Sequence, residues 1–350
     1  MPGDDGFVLS LPKAELHLHL EGSVSPETLS ELSRRHNTPL PTADNRYRNV
    51  EDSGRVFSLE EARALYEYKD FTGFLLAFKA VTERLRTPED YELITYRLMQ
   101  KLAAEHVLHA EVYVSVGVLF WRGQPFEPLF EGMERGRARG ERDFWVSLSW
   151  IFDAVRHFGA EEARKVVEKA IELRRPSVVG FGLGGDERRG PPELFREVYR
   201  LARDNGLRLT CHAGESAGAE SIRGALAIGS ERLGHALTLI EDEGMLREVA
   251  ARRIPLEICL SSNLRTGCCP SLRQHPLRRY FDAGACVVLN TDDPAMFQTS
   301  LAREYALARE LFAFSEDELR QLARNSFEAS FLPEERKRQL LRGRRSPDFG

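Results

Sequence analysis

Eight short apolar runs, separated by segments with helical periodicity, constrain the fold of this chain more than any other feature. The runs are apolar throughout instead of alternating with polar residues, as expected of parallel strands that are covered on both faces. We predict strands at 13–20, 109–117, 144–152, 178–183, 208–213, 232–237, 255–261 and 285–291. Strands that alternate with helices connect by right-handed crossovers, and eight such units close a (β/α)8 TIM barrel. An open, doubly wound sheet is the alternative fold.

Helix-start patterns between these runs support the alternation. Ser25-Pro26-Glu27 and Thr87-Pro88-Glu89-Asp90 each place a capping hydroxyl before a first-turn proline. Ser315 and Glu318 have the spacing of a capping box. Helical periodicity covers 160–173, 191–205 and 242–252.

The length of 350 residues suits a single barrel domain over 1–350 with two additions. Residues 21–108 separate the first two strands, which is more than one barrel helix needs, and such insertions commonly form lids or binding walls. Residues 312–350 form a helical C-terminal extension. The insertion carries an apolar stripe at helical spacing, which a helix packed on the barrel explains most simply: Phe71, Phe74, Leu75 and Phe78.

Composition excludes several classes of protein. A net charge of −5 argues against a general nucleic-acid or membrane-surface binder. No run approaches 18 apolar residues, and the first residues lack the pattern of a secretion signal. The five cysteines include no C-x-x-C pair, so we expect free thiols in a reducing compartment. We predict a cytoplasmic protein, and the sequence leaves its oligomeric state open.

Polar side chains collect where the predicted strands end, and this is the face on which (β/α)8 enzymes carry their active sites. His17 and His19 are two residues apart on the first strand, so their side chains project to the same side. The fifth strand ends at His212, and the eighth runs into Asp292 and Asp293. Three imidazoles and one carboxylate are a donor set suited to zinc. Either aspartate is a candidate ligand, and its neighbour would then hydrogen-bond the metal's water.

Two further residues at strand ends have the chemistry of proton transfer. Glu215 follows His212 by three residues and is a candidate proton donor to the substrate. His235 is a candidate to orient or deprotonate the attacking water and to stabilise developing charge. Zinc lowers the pKa of bound water from about 15.7 towards 7, which supplies a nucleophile at neutral pH. Polar residues also follow the fourth and seventh strands, at Asp186-Glu187 and Ser261-Ser262-Asn263.

One glycine-rich segment imitates a nucleotide-binding motif. Residues 180–185, GFGLGG, match G-x-G-x-x-G. A dinucleotide site requires a helix that opens directly at the glycines, whereas 186–191 is typical of a loop. We therefore expect no nucleotide cofactor, and expect the glycines to let a flat substrate approach the backbone. No lysine ends the fourth strand, which favours one metal over two, and the missing P-C-x-x-C motif excludes a cysteine-ligated deaminase.

Six motifs follow one another along nearly the whole chain. They are PKAELHLHLEG (12–22), VVGFGLGGDE (178–187), CHAGE (211–215), RLGHA (232–236), CLSSNLRTG (259–267) and NTDDP (290–294). In residues and in order they resemble the adenosine/adenine deaminase family of metal-dependent aminohydrolases. A match of six ordered motifs is far more specific than any one of them.

The resemblance implies one zinc ion in a barrel, held by His17, His19, His212 and Asp292. It also implies that Glu215 protonates ring N1 of a purine. His235 and Asp293 would position the hydrolytic water for attack at C6, from which ammonia leaves. The carboxylate ligand left open above is thereby expected to be Asp292.

The resemblance further implies substrate contacts. The backbone N–H of Gly185 would hydrogen-bond a ring nitrogen, and a lid helix would cover the base with Phe71, Phe74 and Leu75. Glu21 stands where animal-type adenosine deaminases have an aspartate that contacts the ribose, so the 5′ side of the substrate is left open. Residues 262–267, SNLRTG, resemble nucleoside-acting members.

We therefore predict zinc-dependent hydrolytic deamination of adenosine, or of a 5′-modified adenosine nucleoside, to the inosine-type product and ammonia. Aminodeoxyfutalosine and adenine are alternative substrates with the same mechanism. Two other hypotheses are a different hydrolysis on the same fold and a non-catalytic purine-binding protein. Ammonia release would distinguish deamination from another hydrolysis, and the complete set of metal-binding residue types argues against a non-catalytic protein.

Overall fold

The eight strands pair in chain order in the computed structural model, which describes residues 5–41, 58–68 and 71–342. They are β1 (Lys13–His19), β2 (Val107–Val114), β3 (Ser147–Val155), β4 (Val178–Gly184), β5 (Arg208–Ala213), β6 (Arg232–His235), β7 (Leu256–Ile258) and β8 (Val287–Leu289). All seven neighbouring pairs are parallel. A parallel bridge between Leu18 and Asp292 brings the end of the sheet back to its start. This arrangement is the predicted (β/α)8 barrel, and the open, doubly wound sheet is excluded.

Helices connect the strands throughout the described part of the chain. They are α1 (Asp5–Ser10), α2 (Pro26–Arg35), α3 (Leu59–Leu65), α4 (Phe71–Thr82), α5 (Pro88–Ala104), α6 (Val116–Trp121), α7 (Phe126–Phe144), α8 (Ala160–Leu173), α9 (Arg196–Asp204), α10 (Ala219–Ala227), α11 (Glu243–Ala251), α12 (Leu260–Arg265), α13 (Leu277–Asp282), α14 (Leu301–Phe312), α15 (Glu316–Ala329) and α16 (Glu334–Leu341). The predicted caps at Ser25, Thr87 and Ser315 are confirmed, the last two as capping boxes.

Several predicted strand ends are wrong, and helices that begin early explain them. The second strand ends at Val114 and not at 117, because α6 begins at Val116. The seventh ends at Ile258 and not at 261, because α12 begins at Leu260. The third begins at Ser147 and not at 144, because α7 runs to Phe144 and is capped by Trp145, whose backbone is left-handed. An apolar run alone does not separate a buried strand from a buried helix turn.

The long connection after β1 holds α2, α3, α4 and α5 in its described part. Helix α5 packs closely against α7, because α7 presents glycines to it. A Cβ on Gly132 would lie 2.1 Å from the carbonyl oxygen of Pro88, and one on Gly136 would lie 2.6 Å from that of Glu92. The close backbone approach fixes the base of the insertion against the barrel.

Helix α15 covers the N-terminal ends of the strands. The Ser326 hydroxyl oxygen accepts the N–H of Ala14 at 2.9 Å, and the Asn325 amide donates to the carbonyl of Val287 at 2.9 Å. The barrel is therefore closed at this end and open at the other. No helix in the described ranges has both the length and the apolar character needed to cross a membrane.

A charged network lies within the barrel wall. The Arg232 guanidinium is 1% exposed and pairs with the carboxylate of Glu111. Its Nε lies 2.6 Å from Glu257 Oε1. The Phe331 ring covers the guanidinium at 3.8 Å. Two carboxylates share one cation here, so the network depends on all three partners.

Candidate active site

A cavity of about 200 Å³ opens at the C-terminal ends of the strands. Strand ends from around the barrel line it together with side chains of α4. Six of the predicted metal-binding and catalytic residues lie in its wall: His19, His212, Glu215, His235, Asp292 and Asp293. The strand-end face is the usual position of catalytic residues in this fold.

Four side chains that the sequence predicts as metal ligands converge at the floor of the cavity. His17 Nε2 lies 3.0 Å from His212 Nε2, and His19 Nε2 lies 3.3 Å from the same atom. Asp292 Oδ1 lies 3.5 Å from His17 Nε2 and 3.3 Å from His19 Nε2. The backbone fixes this register, because the N–H of His19 donates to the carbonyl of Asp292 and the N–H of Asp292 donates to that of His17.

Among the described residues, two overlapping groups of ligand atoms within 4.8 Å of one another could hold a metal ion. The first is His17, His212, His235 and Asp292, and the second is His19, Asp292 and Asp293. His235 is more distant than the other members of the first group, since its Nε2 lies 4.0 Å from Asp292 Oδ2. The shortest contacts are those among the four converging side chains described above.

Partners outside the cavity orient the converging side chains. Glu257 Oε2 lies 2.9 Å from His17 Nδ1, and the Ser262 hydroxyl donates to Asp292 Oδ2 at 2.7 Å. Neither residue has a predicted role from the sequence. A charged residue inside the apolar run 255–261 was the available signal for Glu257.

The two adjacent aspartates occupy different environments. Asp292 has a left-handed backbone, with φ of 67°, and its contact with His17 and the other nearby histidines holds its pKa well below its usual range despite burial. Burial, and then the charge of Asp292, raise the pKa of Asp293 well above its usual range. Asp293 packs against Gly22, where a Cβ would lie 1.8 Å from Asp293 Oδ1. Two carboxyl groups with opposite pKa shifts are suited to different roles.

Glu215 and His235 face each other across the cavity. Glu215 Oε2 lies 3.7 Å from His235 Nε2. Burial raises the pKa of Glu215 to about 8, so this carboxyl group is protonated at neutral pH. Burial lowers the pKa of His235 to about 4, so the imidazole is neutral. The left-handed backbone at His235, with φ of 63°, ends β6 and turns the chain.

Glu187 follows β4 and shapes the Glu215 loop. Its carboxylate accepts the backbone N–H groups of Gly214, Glu215, Ser216 and Ala217 at 2.7–2.9 Å. It also accepts the hydroxyl of Ser221 at 2.8 Å. In the sequence Glu187 stands out only as a polar residue at a strand end, and in the structure it positions the loop that carries the predicted proton donor.

Glu187→Gln is expected to lower both stability and activity. The amide keeps the size of the side chain but turns an N–H group towards backbone donors, and hydrogen bonds to charged groups contribute about 1.5–3 kcal/mol each. We expect a loss of about 2 kcal/mol in the free energy of unfolding, together with a lower kcat, measured by urea denaturation and turnover. Glu193→Gln, at an exposed glutamate in the same connection, is the control. Unchanged stability would contradict this role.

The predicted substrate-binding residues are placed unequally. Gly185, with φ of 88°, Phe74 and Leu75 line the cavity. Glu21 is buried, and its Oε1 accepts the N–H of Ser115, so Ser115 and not Glu21 contributes to the lining. Burial raises the pKa of Glu21 to about 7. The side chain of Phe71 lies outside the described residues.

Asp153 is a cavity residue that the sequence analysis missed. It lies near the end of β3 and lines the cavity, and its Oδ1 has no hydrogen-bond partner among the described residues. Burial raises its pKa to about 8. Its position directly after the predicted strand 144–152 was a usable signal, because the other cavity residues also stand at strand ends.

A family model described as adenosine deaminase matches residues 12–344. The chain belongs to the adenosine deaminase family. It is therefore a hydrolase of C–N bonds, and the resemblance noted in the sequence is confirmed. The reaction common to this family is hydrolytic deamination, and the family is metal-dependent.

Similar proteins extend over nearly the whole chain. The aminodeoxyfutalosine deaminase of Streptomyces avermitilis is 37% identical over 93% of this chain and 88% of its own length. The crystal structure of an adenine deaminase from Arthrobacter aurescens superposes with a TM-score of 0.87 at 32% identity, covering 95% of this chain and 98% of that one. An amidohydrolase from Burkholderia ambifaria, crystallised with bound zinc, superposes with a TM-score of 0.85 at 26% identity, covering 99% and 92%.

Proposed function

We propose that this member of the adenosine deaminase family removes the 6-amino group of an adenine-containing nucleoside with one zinc ion. The proposed ligands are His17, His19, His212 and Asp292. Their ligand atoms lie 3.0–3.5 Å apart in the contacts given above. Ligands about 2.0–2.1 Å from a tetrahedral zinc lie about 3.3–3.4 Å from one another. This agreement is the observation that carries the proposal.

The chemistry of the donor set supports the same assignment. His17 Nδ1 is 2.9 Å from the carboxylate of Glu257, which places a proton on Nδ1 and leaves a lone pair on Nε2. That lone pair faces His212 Nε2 at 3.0 Å, where a bound cation would accept a lone pair from each ring. Asp292 adds the negative charge. A carboxylate behind a histidine ligand is a common partner of zinc sites.

When bound there, the metal supplies Lewis-acid activation of the attacking water. We assign Glu215 as the donor of a proton to ring N1 of the purine, since its carboxyl group is protonated at neutral pH. Protonation at N1 makes C6 more electrophilic. His235 and Asp293, which lie beside the cluster, position the water for addition to C6. The oxygen replaces the amino nitrogen, which leaves as ammonia after taking one proton of the water, while the other proton of the water returns to Glu215.

Gly185 and the α4 side chains are proposed to hold the base. Gly184 and Gly185, the second with a left-handed backbone, line the cavity without side chains of their own, so a flat ring can approach the backbone. We assign the N–H of Gly185 to a ring nitrogen. Phe74 and Leu75 provide the facing apolar wall, and Leu75 is 46% exposed at the mouth.

The proposed substrate is adenosine or a 5′-modified adenosine. The cavity is also lined by Val118, Val155 and Phe158, which offer apolar contacts to groups attached to the base. The aminodeoxyfutalosine deaminase of Streptomyces avermitilis, at 37% identity, supports a 5′-modified nucleoside. Adenine is the second candidate, supported by the adenine deaminase of Arthrobacter aurescens.

A substrate panel tests this proposal. The zinc-loaded enzyme is assayed with adenine, adenosine, deoxyadenosine and aminodeoxyfutalosine by ammonia release and by loss of the aminopurine absorbance. We expect turnover of a nucleoside with equal amounts of ammonia and product, loss of turnover after chelation, and recovery with zinc. Higher kcat/KM for free adenine would reject the nucleoside assignment, and turnover without ammonia would reject deamination. Metal analysis is expected to give one zinc per chain.

A further inference from the structure

A chain of hydrogen bonds runs from outside the cavity to His235. The N–H of Leu277 donates to His275 Nδ1 at 3.1 Å. His275 Nε2 lies 3.1 Å from Asn263 Oδ1, and Asn263 Nδ2 lies 3.1 Å from His235 Nδ1. All three side chains are buried, with at most 4% of their surface exposed. None of the roles assigned above involves His275 or Asn263.

The first step of the chain has only one possible direction. A backbone N–H is always a donor, so the N–H of Leu277 requires an acceptor at His275 Nδ1. A neutral imidazole that accepts at one nitrogen carries its proton on the other. His275 therefore has its proton on Nε2, from which it donates to the Asn263 side chain.

The second step fixes the amide of Asn263. Since His275 Nε2 is a donor, the atom facing it must be the carbonyl oxygen Oδ1. The opposite orientation of the amide would place two donors 3.1 Å apart. The NH2 group therefore faces His235 and donates to its Nδ1.

The third step sets the tautomer of His235. With Nδ1 occupied as an acceptor, the proton of the neutral ring lies on Nε2. Nε2 is the atom directed into the cavity, 3.7 Å from Glu215 Oε2 and 4.0 Å from Asp292 Oδ2. His235 thus presents a hydrogen-bond donor to the cavity, and a lone pair there would require the other tautomer.

The elements that carry the chain hold it in place. Asn263 lies on α12, and its carbonyl accepts the N–H of Cys269 at 2.7 Å. His275 ends a short 3-10 turn, and Pro276 precedes α13. The two residues are therefore fixed by backbone structure on both sides, so the donor directions described above do not depend on exposed, freely rotating groups.

We propose that His275 and Asn263 are positioning residues that lock His235 in its Nε2–H tautomer. His235 then acts in deamination as a hydrogen-bond donor to the oxygen that adds to C6, and not as a proton acceptor: one proton of the water completes the departing ammonia, and the other replaces the proton that Glu215 gave to N1. This role in catalysis rests on the proposed function. The tautomer itself is a property of the folded enzyme and is measurable without substrate.

Histidine nitrogen NMR of the zinc-loaded enzyme tests the tautomer directly. With 15N-labelled histidine, we expect His235 to show an unprotonated Nδ1 and a protonated Nε2, its signals being assigned by their loss in His235→Asn. Asn263→Asp reverses the polarity of the central link, since a carboxylate accepts from both neighbours. We expect that variant to move the His235 proton to Nδ1. A protonated Nδ1 in the unmodified enzyme, or an unchanged tautomer in Asn263→Asp, would overturn the proposal.

Kinetics separate positioning from a merely structural role. In another enzyme class, loss of the correct histidine tautomer lowers kcat by about 10⁴-fold, and for Asn263→Asp we expect a fall in kcat of at least about 10²-fold with little change in KM. His275→Leu removes the donor and should lower kcat, whereas His275→Gln keeps a donor and an acceptor and should recover most of it. Asn205→Asp, at an exposed asparagine on another face, is the control.

The outcomes distinguish the two proposals. If no ammonia forms from any substrate but the NMR shows the expected tautomers, the proposed function fails and the tautomer lock stands. If ammonia forms and Asn263→Asp keeps full kcat, the lock has no catalytic role and the proposal is overturned. Far-UV circular dichroism and metal content of each variant establish that it is folded and loaded.

Discussion

Glu215→Gln is expected to lower kcat by about 10²–10⁴-fold, the usual contribution of a general acid. Glutamine keeps the volume of the side chain and its hydrogen bonding but has no proton to transfer. The loop that carries residue 215 is held by Glu187 through its backbone N–H groups, so the substitution leaves the loop in place. The measurement is steady-state ammonia release by the zinc-loaded variant on the preferred substrate.

The control for this variant is Glu220→Gln, at an exposed glutamate five residues further along the chain, which should keep full turnover. Unfolding midpoints and zinc content should be the same in all three proteins. Near-normal kcat in Glu215→Gln would remove this residue from the mechanism. A fall accompanied by loss of zinc would instead place Glu215 among the groups that hold the metal.

The same carboxyl group predicts a pH dependence. Burial raises the pKa of Glu215 to about 8, above its ordinary value. The acid form is therefore present below about pH 8 and is lost as the pH rises through that value, so kcat/KM is expected to fall on the alkaline side. In Glu215→Gln this alkaline limb should disappear from the residual activity. An identical limb in the variant would assign the ionisation to another group.

Arg232→Met is expected to cost about 3–5 kcal/mol in the free energy of unfolding. The substitution leaves the buried carboxylates of Glu111 and Glu257 without their shared cation, and also removes the guanidinium from the ring of Phe331. Breaking a buried charge network by removing one partner costs more than losing the pair as a whole. Urea denaturation of the zinc-loaded protein measures the change.

Arg200→Met is the matched control, since its guanidinium is 62% exposed and pairs with Glu197 on the surface of α9. An exposed pair contributes at most about 1 kcal/mol, so the free energy of unfolding of this variant should be close to that of the parent. A loss of less than about 1 kcal/mol in Arg232→Met would show that water or rearranged neighbours replace the guanidinium. Because Glu257 also contacts His17, Arg232→Met should weaken zinc retention as well.

The parts of the site that the sequence predicted are those with a local geometric reason. His17 and His19 share a face because strand side chains alternate. His212 and the pair Asp292 and Asp293 were found because a parallel barrel brings all strand ends to one face, whatever their separation along the chain. The choice of Asp292 as the ligand came only from the resemblance to the family. The cluster in the structure follows from these two rules, with Nε2 atoms 3.0–3.3 Å apart.

The roles of other residues were missed because they depend on contacts with remote partners. Glu257 lies on a strand of three residues, and its link to His17 spans 240 positions. His275 reaches His235 only through Asn263, and no local pattern distinguishes it from a surface histidine. The strand ends at 114 and 258 were misplaced because an apolar run continues into a buried helix.

By itself the sequence determined the barrel, the family and the residue types at the strand ends. The alternation of strands and helices and the ordered motifs are local patterns, so they can be recognised in the sequence. Only the tertiary structure decided which groups touch. The different pKa directions of Asp292 and Asp293, the loop role of Glu187 and the tautomer chain behind His235 all arise from burial and from contacts between distant segments. The pKa of a side chain and the position of its proton depend on burial and on neighbouring groups. Folding brings these neighbours together from distant parts of the chain, so local sequence patterns do not specify them.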